Sequence, residues 1–516
     1  MEKTSALATC PLQEVLDSTV ARLRTVGTDL ESVEVKRASG GFPRSALESV
    51  CAFANARGGL LILGLTDGDF KPVPVDAAKL ASDLAAACST DLEPAVRPEI
   101  NIALLEGTPV VVAQVHALEH QRRPCFVRRE GMERGAYLRT HDGDRRMNSY
   151  EVHIMVSGRG QPEDDMATVE DARLGDLNSE LTSALLHRLR ERRGPVFQHA
   201  TDSEVLHMLG VLTAPKDDAP VTLAGLLGLG RYPQQFFPQL SASFVALPTI
   251  SGEPTADGTR FLDNRPLDGP IPAIVSGALD ALRHNMRRRS IIIGAGRSDI
   301  WDYPTEAVRE IVANALTHRD YHPTAHGSHV RITLYPDRLE VANIGGLHGP
   351  NAGQIDVDEL IRRGVTATRN TRLAKLLEDV VIPGSGRPVC ENRGSGLRAA
   401  VAALRQANMP ALEVFDNISE MRVVMNRGDL LDNEQATASR RAGTTSVSVS
   451  DDLSEREQQI LQFLTDGPHR SSELALGMGI SQQAVLRWLR IMSDSGLVRA
   501  TESNPRSRRN RWQLAS

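Results

Sequence analysis

Apolar residues recur at helical spacing over 12–23, and Val33 and Val35 then alternate as in a strand that ends near a Gly40-Gly41 turn. Residues 44–55 read as a second helix. It stops at Ala56-Arg57-Gly58-Gly59, where glycine can take positive φ, and the unbroken apolar run 60–65 predicts a buried strand turned by Asp67-Gly68. Arg122, Arg123, Arg128, Arg129, Arg139, Arg145 and Arg146 interleave with Phe126 and Tyr137, which makes either a phosphate-tracking groove or a solvated basic face. Residues 158–171 are polar and read as a linker, and helices are expected over 176–193 and 202–209. The stretch 222–234 presents glycines along an apolar strand. They do not sit at a strand-to-helix turn followed by an acid, so a dinucleotide fingerprint is rejected. Residues 266–286 read as helical.

The most informative stretch begins at Tyr303-Pro304. Pro304 suits the first position of a helix on which Ala307, Val308, Ile311, Val312, Ala315 and Leu316 form an apolar stripe. Glu310 and Asn314 lie one turn apart, so a carboxylate and an amide share one face. A hairpin follows, 330–335 and 338–341 around Pro336-Asp337, and runs into Asn343-Ile344-Gly345-Gly346. Residues 370–377 read as a short helix, and Arg393-Gly394-Ser395-Gly396 opens another. Glycines before a helix N-terminus suit phosphate, because free N–H groups and the helix dipole favour an anion there. His318-Arg319-Asp320 imitates a protein-kinase catalytic loop, but Ala325 stands where that loop needs asparagine. His318 to Tyr321 are therefore expected to lock the helix end. No phosphate-binding Gly-x-x-x-x-Gly-Lys-[Ser/Thr] loop occurs, so helicase or P-loop motor chemistry is unsupported.

Residues 432–450, rich in Ser, Thr and Ala, read as a flexible tether. Beyond it, Ile460, Leu461, Phe463 and Leu464 give a helix its core face, and 471–478 forms a second helix. A third begins at Ser481 with Val485, Leu489 and Met492 inward and Gln482, Gln483, Arg487 and Arg490 outward. Residues 497–500 and 511–514 can pair as a wing.

Length and composition add bounds. A chain of 516 residues exceeds one core and implies about three or four domains. With 41% hydrophobic residues the chain is globular, no run approaches the roughly 18 apolar residues of a membrane span, and the N-terminus lacks a secretory pattern. Five scattered cysteines form no Cys-x-x-Cys pair, which suits a reducing cytoplasm. A net charge of −6 hides local clusters: from Ser481 onward seven arginines stand against Asp494 and Glu502, a local charge of +5.

Three resemblances give these segments an expected identity. Glu31 to Lys36, Ala52-Phe53-Ala54-Asn55-Ala56-Arg57-Gly58-Gly59 and Gly64 to Asp67 resemble the Schlafen-type AlbA_2 domain over 12–155. That resemblance implies nucleic-acid binding or, in some relatives, metal-dependent cleavage. For cleavage the carried-over set is Asp29, Glu34 and Asp67, with Lys36 on phosphate and Asp29 replacing a usual Glu. Over 295–425 the chain resembles the ATP-binding fold of gyrase-type and histidine-kinase-type (GHKL) ATPases. By that resemblance Asn314 ligates Mg²⁺ on the phosphates of ATP and Glu310 positions the attacking water if hydrolysis occurs. Asn343, Gly345 and Gly346 form a reduced first glycine box, and Gly394, Ser395 and Gly396 the second. Asn343 stands where most members carry the aspartate that reads adenine. The last segment, 452–516, resembles a winged helix-turn-helix. Gln482, Gln483, Arg487 and Arg490 suit base edges, and Arg506, Arg508, Arg509 and Arg511 at the wing suit phosphates.

The expected fold class is α/β multidomain: an α+β AlbA_2 domain, a connector over 175–290, an α/β-sandwich ATPase domain, and a C-terminal winged helix. The expected function is an ATP-binding, DNA-binding transcriptional regulator that self-associates and does not enter membranes, with RNA or DNA also possible at the first domain. The alternative is an ATP-gated, metal-dependent nuclease acting against foreign nucleic acid.

Overall fold

The computed structural model divides the chain into two compact units, Met1–Asp429 and Leu430–Ser516. It describes residues 11–28, 30, 32–140, 143–192, 194–286, 288–293, 296–349, 356–363, 367–390, 396–428, 460–464, 467–478, 485–486, 489, 492–493, 498–501 and 511–514.

The first module of the larger unit is built on a four-stranded sheet in the order Val33–Lys36, Gly59–Leu63, Thr108–Val115, Glu99–Leu105. The first pair is parallel, with Glu34 opposite Leu61, and the other pairs are antiparallel. Gly59–Leu63 is buried along its whole length. Because strand side chains alternate, Leu61 and Leu63 enter the core beneath helices Ser45–Asn55 and Ala77–Thr90, while Leu60 and Ile62 meet Leu16, Val20 and Leu23 of helix Pro11–Val26. The turn into that strand needs both of its glycines. Gly58 has φ +83° and a Cβ there would fall 2.6 Å from the Val115 carbonyl oxygen, and a Cβ on Gly59 would fall 2.3 Å from the Phe53 ring.

The second module carries a six-stranded sheet in the order Asp263–Leu267, Ala242–Ala246, Val330–Leu334, Arg338–Ile344, Glu420–Asn426, Glu413–Asp416. Only the pairing of Ala242–Ala246 with Val330–Leu334 is parallel. Helices Ile271–Asn285, Thr305–His318 and Gly396–Gln406 contribute to the same apolar core as Val330, Ile332, Leu339 and Val341 of the sheet.

Three sequence expectations change here. The supposed strand near 222–230 is helix Leu223–Leu229, with all seven residues buried. Its Leu-Ala-Gly-Leu-Leu-Gly-Leu sequence has no β-branched residue, and the Thr222 hydroxyl caps it by accepting from the Gly225 amide at 3.0 Å. The front of the 266–286 segment is not helical: Asp263–Leu267 is an edge strand, and the helix starts at Ile271 after Gly269-Pro270. The 158–171 segment is not a free tether. Gln161 donates to the Arg369 carbonyl at 2.6 Å, and Asp165 accepts from the amides of Arg372 and Leu373 at 2.8 and 2.9 Å, while Val169 and Ala172 enter the core. It is a strap across the second module.

In the smaller unit, helix Ser471–Met478 and the antiparallel pair Val498–Ala500 and Trp512–Leu514 contribute to a core with Ile460, Leu464, Val485, Leu489 and Met492. The tether 432–450 and Gln482, Gln483, Arg487, Arg490, Arg506, Arg508 and Arg509 lie outside the described residues. Arg511 donates from its amide to the Thr501 hydroxyl at 3.0 Å and from Nη1 to the Pro468 carbonyl at 3.0 Å.

Candidate functional site

Helix Thr305–His318 is held by its apolar stripe, in which Val308, Ile311, Val312 and Leu316 each gain roughly 1.5–3 kcal/mol of gross transfer energy. Pro304 is its N-cap rather than its first helical residue, and Arg319 leaves the helix with φ −60° and ψ 162°. The helix also buries polar groups: Glu310 is 4% exposed, and Arg309 reaches Glu306 at 2.7 Å and the Pro388 carbonyl at 3.2 Å. Such burial costs free energy unless partners compensate. Helix Gly396–Gln406 starts against this carboxylate. A Cβ on Gly396 would fall 1.5 Å from Glu310 Oε1, so any larger residue there would have to displace the Glu310 carboxylate. Glu310 and Gly396, 86 residues apart in sequence, thus share one site. Asn314, one turn further on, is half-buried, and its amide has no hydrogen bond among the described residues. Gly394 and Ser395 lie outside the described residues.

The end of the helix is locked. Asn370 donates to the carbonyls of Thr317 and Arg319, both at 2.8 Å, and the buried Arg319 donates to the carbonyls of Ala325 and Ser328. The Asp320 amide donates to the Ile344 carbonyl at 3.0 Å, which ties the helix to the first glycine turn. There Gly345 takes φ +87°, and a Cβ on Gly346 would fall 2.2 Å from Asp416 Oδ1. The Gly345 and Gly346 amides donate to the carbonyls of Ser419 and Ile418 at 2.8 and 2.7 Å. This turn therefore supplies shape, not free amide donors. Asn343 is 7% exposed and its amide donates to the Ile344 carbonyl at 3.3 Å. Burial first, and the Arg369 charge second, push the His318 imidazole down to about 4, so it is neutral near pH 7.

Of the carboxylate set expected in the first module, Glu34 and Asp67 are among the described residues. Glu34 is buried and clasped by Arg139 at 2.6 Å and Lys36 at 2.5 Å. Lys36 therefore neutralises Glu34 instead of standing free for phosphate. Arg139 also binds Asp144 at 3.0 Å and the carbonyls of Leu30 and Val33. Asp67 is exposed in a turn, Asp29 lies outside the described residues, and among the described residues no three His, Cys, Asp or Glu form a group able to hold a metal. The arginine groove likewise becomes a paired face. Arg128 meets Glu93 at 2.8 Å, Arg129 and Arg146 meet Glu130, and Arg145 meets Glu151 at 2.5 Å. Arg122 and Arg123 donate to the carbonyls of Ala95 and Leu118.

One residue of a quoted motif and one that no motif marked complete the picture. Asn55 donates to the carbonyls of Cys125 and Tyr137 and accepts from the Cys125 amide at 2.6 Å, which makes the Phe-Ala-Asn motif a structural clamp. Arg369 is 2% exposed and donates to the Gly346 carbonyl at 3.0 Å. Its neighbours come from distant sequence, and no local motif marks it.

Family models match three segments. Residues 29–148 match "Schlafen, AlbA_2", residues 327–425 match "Putative ATP-dependent DNA helicase recG C-terminal", and residues 456–500 match "Bacterial regulatory protein, arsR family". Asn343, Gly345, Gly346 and Gly396 fall inside the second match, whereas Glu310 and Asn314 precede it. Among curated proteins none matches the chain. Solved structures also match, among them three from different bacteria. The DIP2311 protein of Corynebacterium diphtheriae is 19% identical, with 97% of each chain covered and a TM-score of 0.39. The N-terminal domain of a RecG-related protein of Nitrosomonas europaea is 30% identical, covering 25% of this chain and 91% of that one, with a TM-score of 0.22. ZitR of Lactococcus lactis is 19% identical, covering 16% and 62%, with a TM-score of 0.14. No described helix is long and apolar enough to cross a membrane. The chain thus carries, in order, segments that match a Schlafen AlbA_2 domain, a RecG C-terminal ATPase-like domain and an arsR-type helix-turn-helix.

Proposed function

We propose that the protein is an ATP-binding, DNA-binding transcriptional regulator whose nucleotide state is read out by its C-terminal helix-turn-helix. The observation that carries this reading is the approach of Gly396 to the buried Glu310 carboxylate, which leaves no room for a side chain unless Glu310 moves, where a second glycine box would meet the helix. Asn314 fits a bridging cation, since its half-buried amide has no protein partner among the described residues. When bound there, Mg²⁺ would neutralise phosphate charge. Glu310 would orient a water, Gly396 would admit the phosphate chain beside the start of its helix, and Asn343 would face the base. The Glu34 carboxylate, already neutralised by Arg139 and Lys36, gives the nuclease alternative no support.

The test is ATP affinity and hydrolysis for wild type, Glu310→Ala and Asn314→Ala. Asn314→Ala is expected to weaken Mg-ATP binding by about tenfold, the scale of one lost charge-assisted contact. Glu310→Ala is expected chiefly to slow turnover. Wild-type binding and hydrolysis in both variants would remove the nucleotide site from the molecule.

A further inference from the structure

The first module touches the second at the turn that holds Gly345 and Gly346. Tyr150, on helix Ser149–Ser157, donates to Asp320 Oδ2 at 2.8 Å. Burial and the adjacent Asp320 carboxylate push the phenol well above its ordinary range, so it donates and does not ionise. One turn on, His153 packs on His322 with ring centroids 3.9 Å apart. Asp320 itself belongs to the turn: a Cβ on Gly345 would lie 2.9 Å from its Cβ. Ile418, whose carbonyl accepts from Gly346, packs against the first module's Leu138, Met147 and Val152 cluster.

Arg369 lies at the centre of these contacts. Its carbonyl accepts from Gln161 of the strap, and its Nη2 donates to Gly346. The guanidinium stands 3.7 Å from Asp320 Oδ1, too long for a hydrogen bond, and its Nε and Nη1 have no hydrogen-bond acceptor among the described residues. A buried guanidinium with two idle donors is costly unless an acceptor arrives.

We infer that Arg369 gives these two donors to an anionic phosphate oxygen of the nucleotide, and that Tyr150, through Asp320, transmits that occupancy to the first module. The inference rests on the nucleotide reading above and adds to it a charge contact and a route out of the cleft. An incoming oxygen competes with Asp320 for the guanidinium. Asp320 then holds Tyr150 differently in the occupied and empty states, which is the differential contact that coupling requires. Tyr150 is a positioning residue and Arg369 a binding one.

The experiment uses the full chain, a fluorescent ATP analogue titrated in Mg²⁺, and hydrogen exchange of the 149–157 segment with and without saturating ATP. The wild type is expected to bind and to change exchange at 149–157 by about threefold or more. Tyr150→Phe should bind within about twofold of wild type yet lose that change. Arg369→Gln should bind about tenfold more weakly. Should that variant not fold, Arg369→Lys keeps the charge but loses the fork and should still bind several-fold more weakly. A wild type that binds ATP with unchanged exchange at 149–157 overturns the inference, as does a change retained in Tyr150→Phe or wild-type affinity in the folded Arg369 variant. A wild type that binds no ATP overturns instead the nucleotide reading, and the inference falls with it.

Discussion

A buried amide and a half-buried imidazole solve the same desolvation problem by different means. Asn55 spends its capacity on Cys125 and Tyr137 and stays polar, whereas His318 discards its charge. His348 does the same: burial, then Arg369, push it down to about 4. The sign of the resulting pH dependence follows. The unfolded chain takes up these protons near 6.5 and the folded one only near 4, so the stabilisation is complete above 6.5 and is lost as pH falls toward 4. Thermal midpoints are expected to fall across that window, and His318→Gln, neutral throughout, to shrink the fall. Calorimetry at about pH 7.5 and about pH 5 checks it, and an unaltered fall in the variant would count against the assignment. At this scale the sequence displayed motifs more clearly than jobs. The Phe-Ala-Asn string was visible, but its clamp depends on a chain segment 70 residues away. Glu310 and Gly396 were both legible, because each sits in a short pattern with its own chemistry. Tyr150 and Asp320, 170 residues apart, share no pattern and meet only in the fold.

Elements were legible where burial is one-sided. The hairpin Val330–Leu334 with Arg338–Ile344 alternates buried and more open positions near strand period, which sequence reports directly, whereas the central helix, buried at Ala307 to Ala313 and again at Ala315 to Thr317, was legible through the helical spacing of its apolar residues among polar ones. Helix Leu223–Leu229 is buried all round and has no period to read. Its glycines serve packing, as a Cβ on Gly225 would fall 2.7 Å from the Val211 carbonyl and one on Gly228 would fall 2.7 Å from Leu376 Cδ2. Two effects then compete in Gly225→Ala. Helix propensity favours the change by about 1 kcal/mol, while overpacking against backbone costs about 1–3 kcal/mol. The clash is with main chain, which cannot swing aside, so net destabilisation of about 1–2 kcal/mol is expected in urea unfolding. A more stable variant would show that Val211 yields.

For the whole molecule, the order of the domains was readable because each carries its own short signature, and the basic C-terminal segment contrasts with a chain of net charge −6. If that segment meets DNA phosphates, affinity must fall with salt, by a slope of roughly 0.9 per phosphate neutralised. Replacing Arg506, Arg508 and Arg509 together by Ala is expected to reduce the slope by roughly 3 while leaving sequence preference intact. Titrations of labelled duplex across salt concentrations measure it, and an unchanged slope would exclude the three as phosphate contacts.

The strap was the feature least visible in composition, since polar, glycine-containing sequence looks the same whether it is loose or fastened. Its fastening bears on inheritance. A recombination joint within 170–172 would hand Asp165 to one descendant and the Arg372 and Leu373 amides it caps to another, and would separate Val169 from its strand partner Val221. The first two modules are therefore expected to be inherited as one piece, with exchange between lineages tolerated only after Asp429, where the larger unit ends.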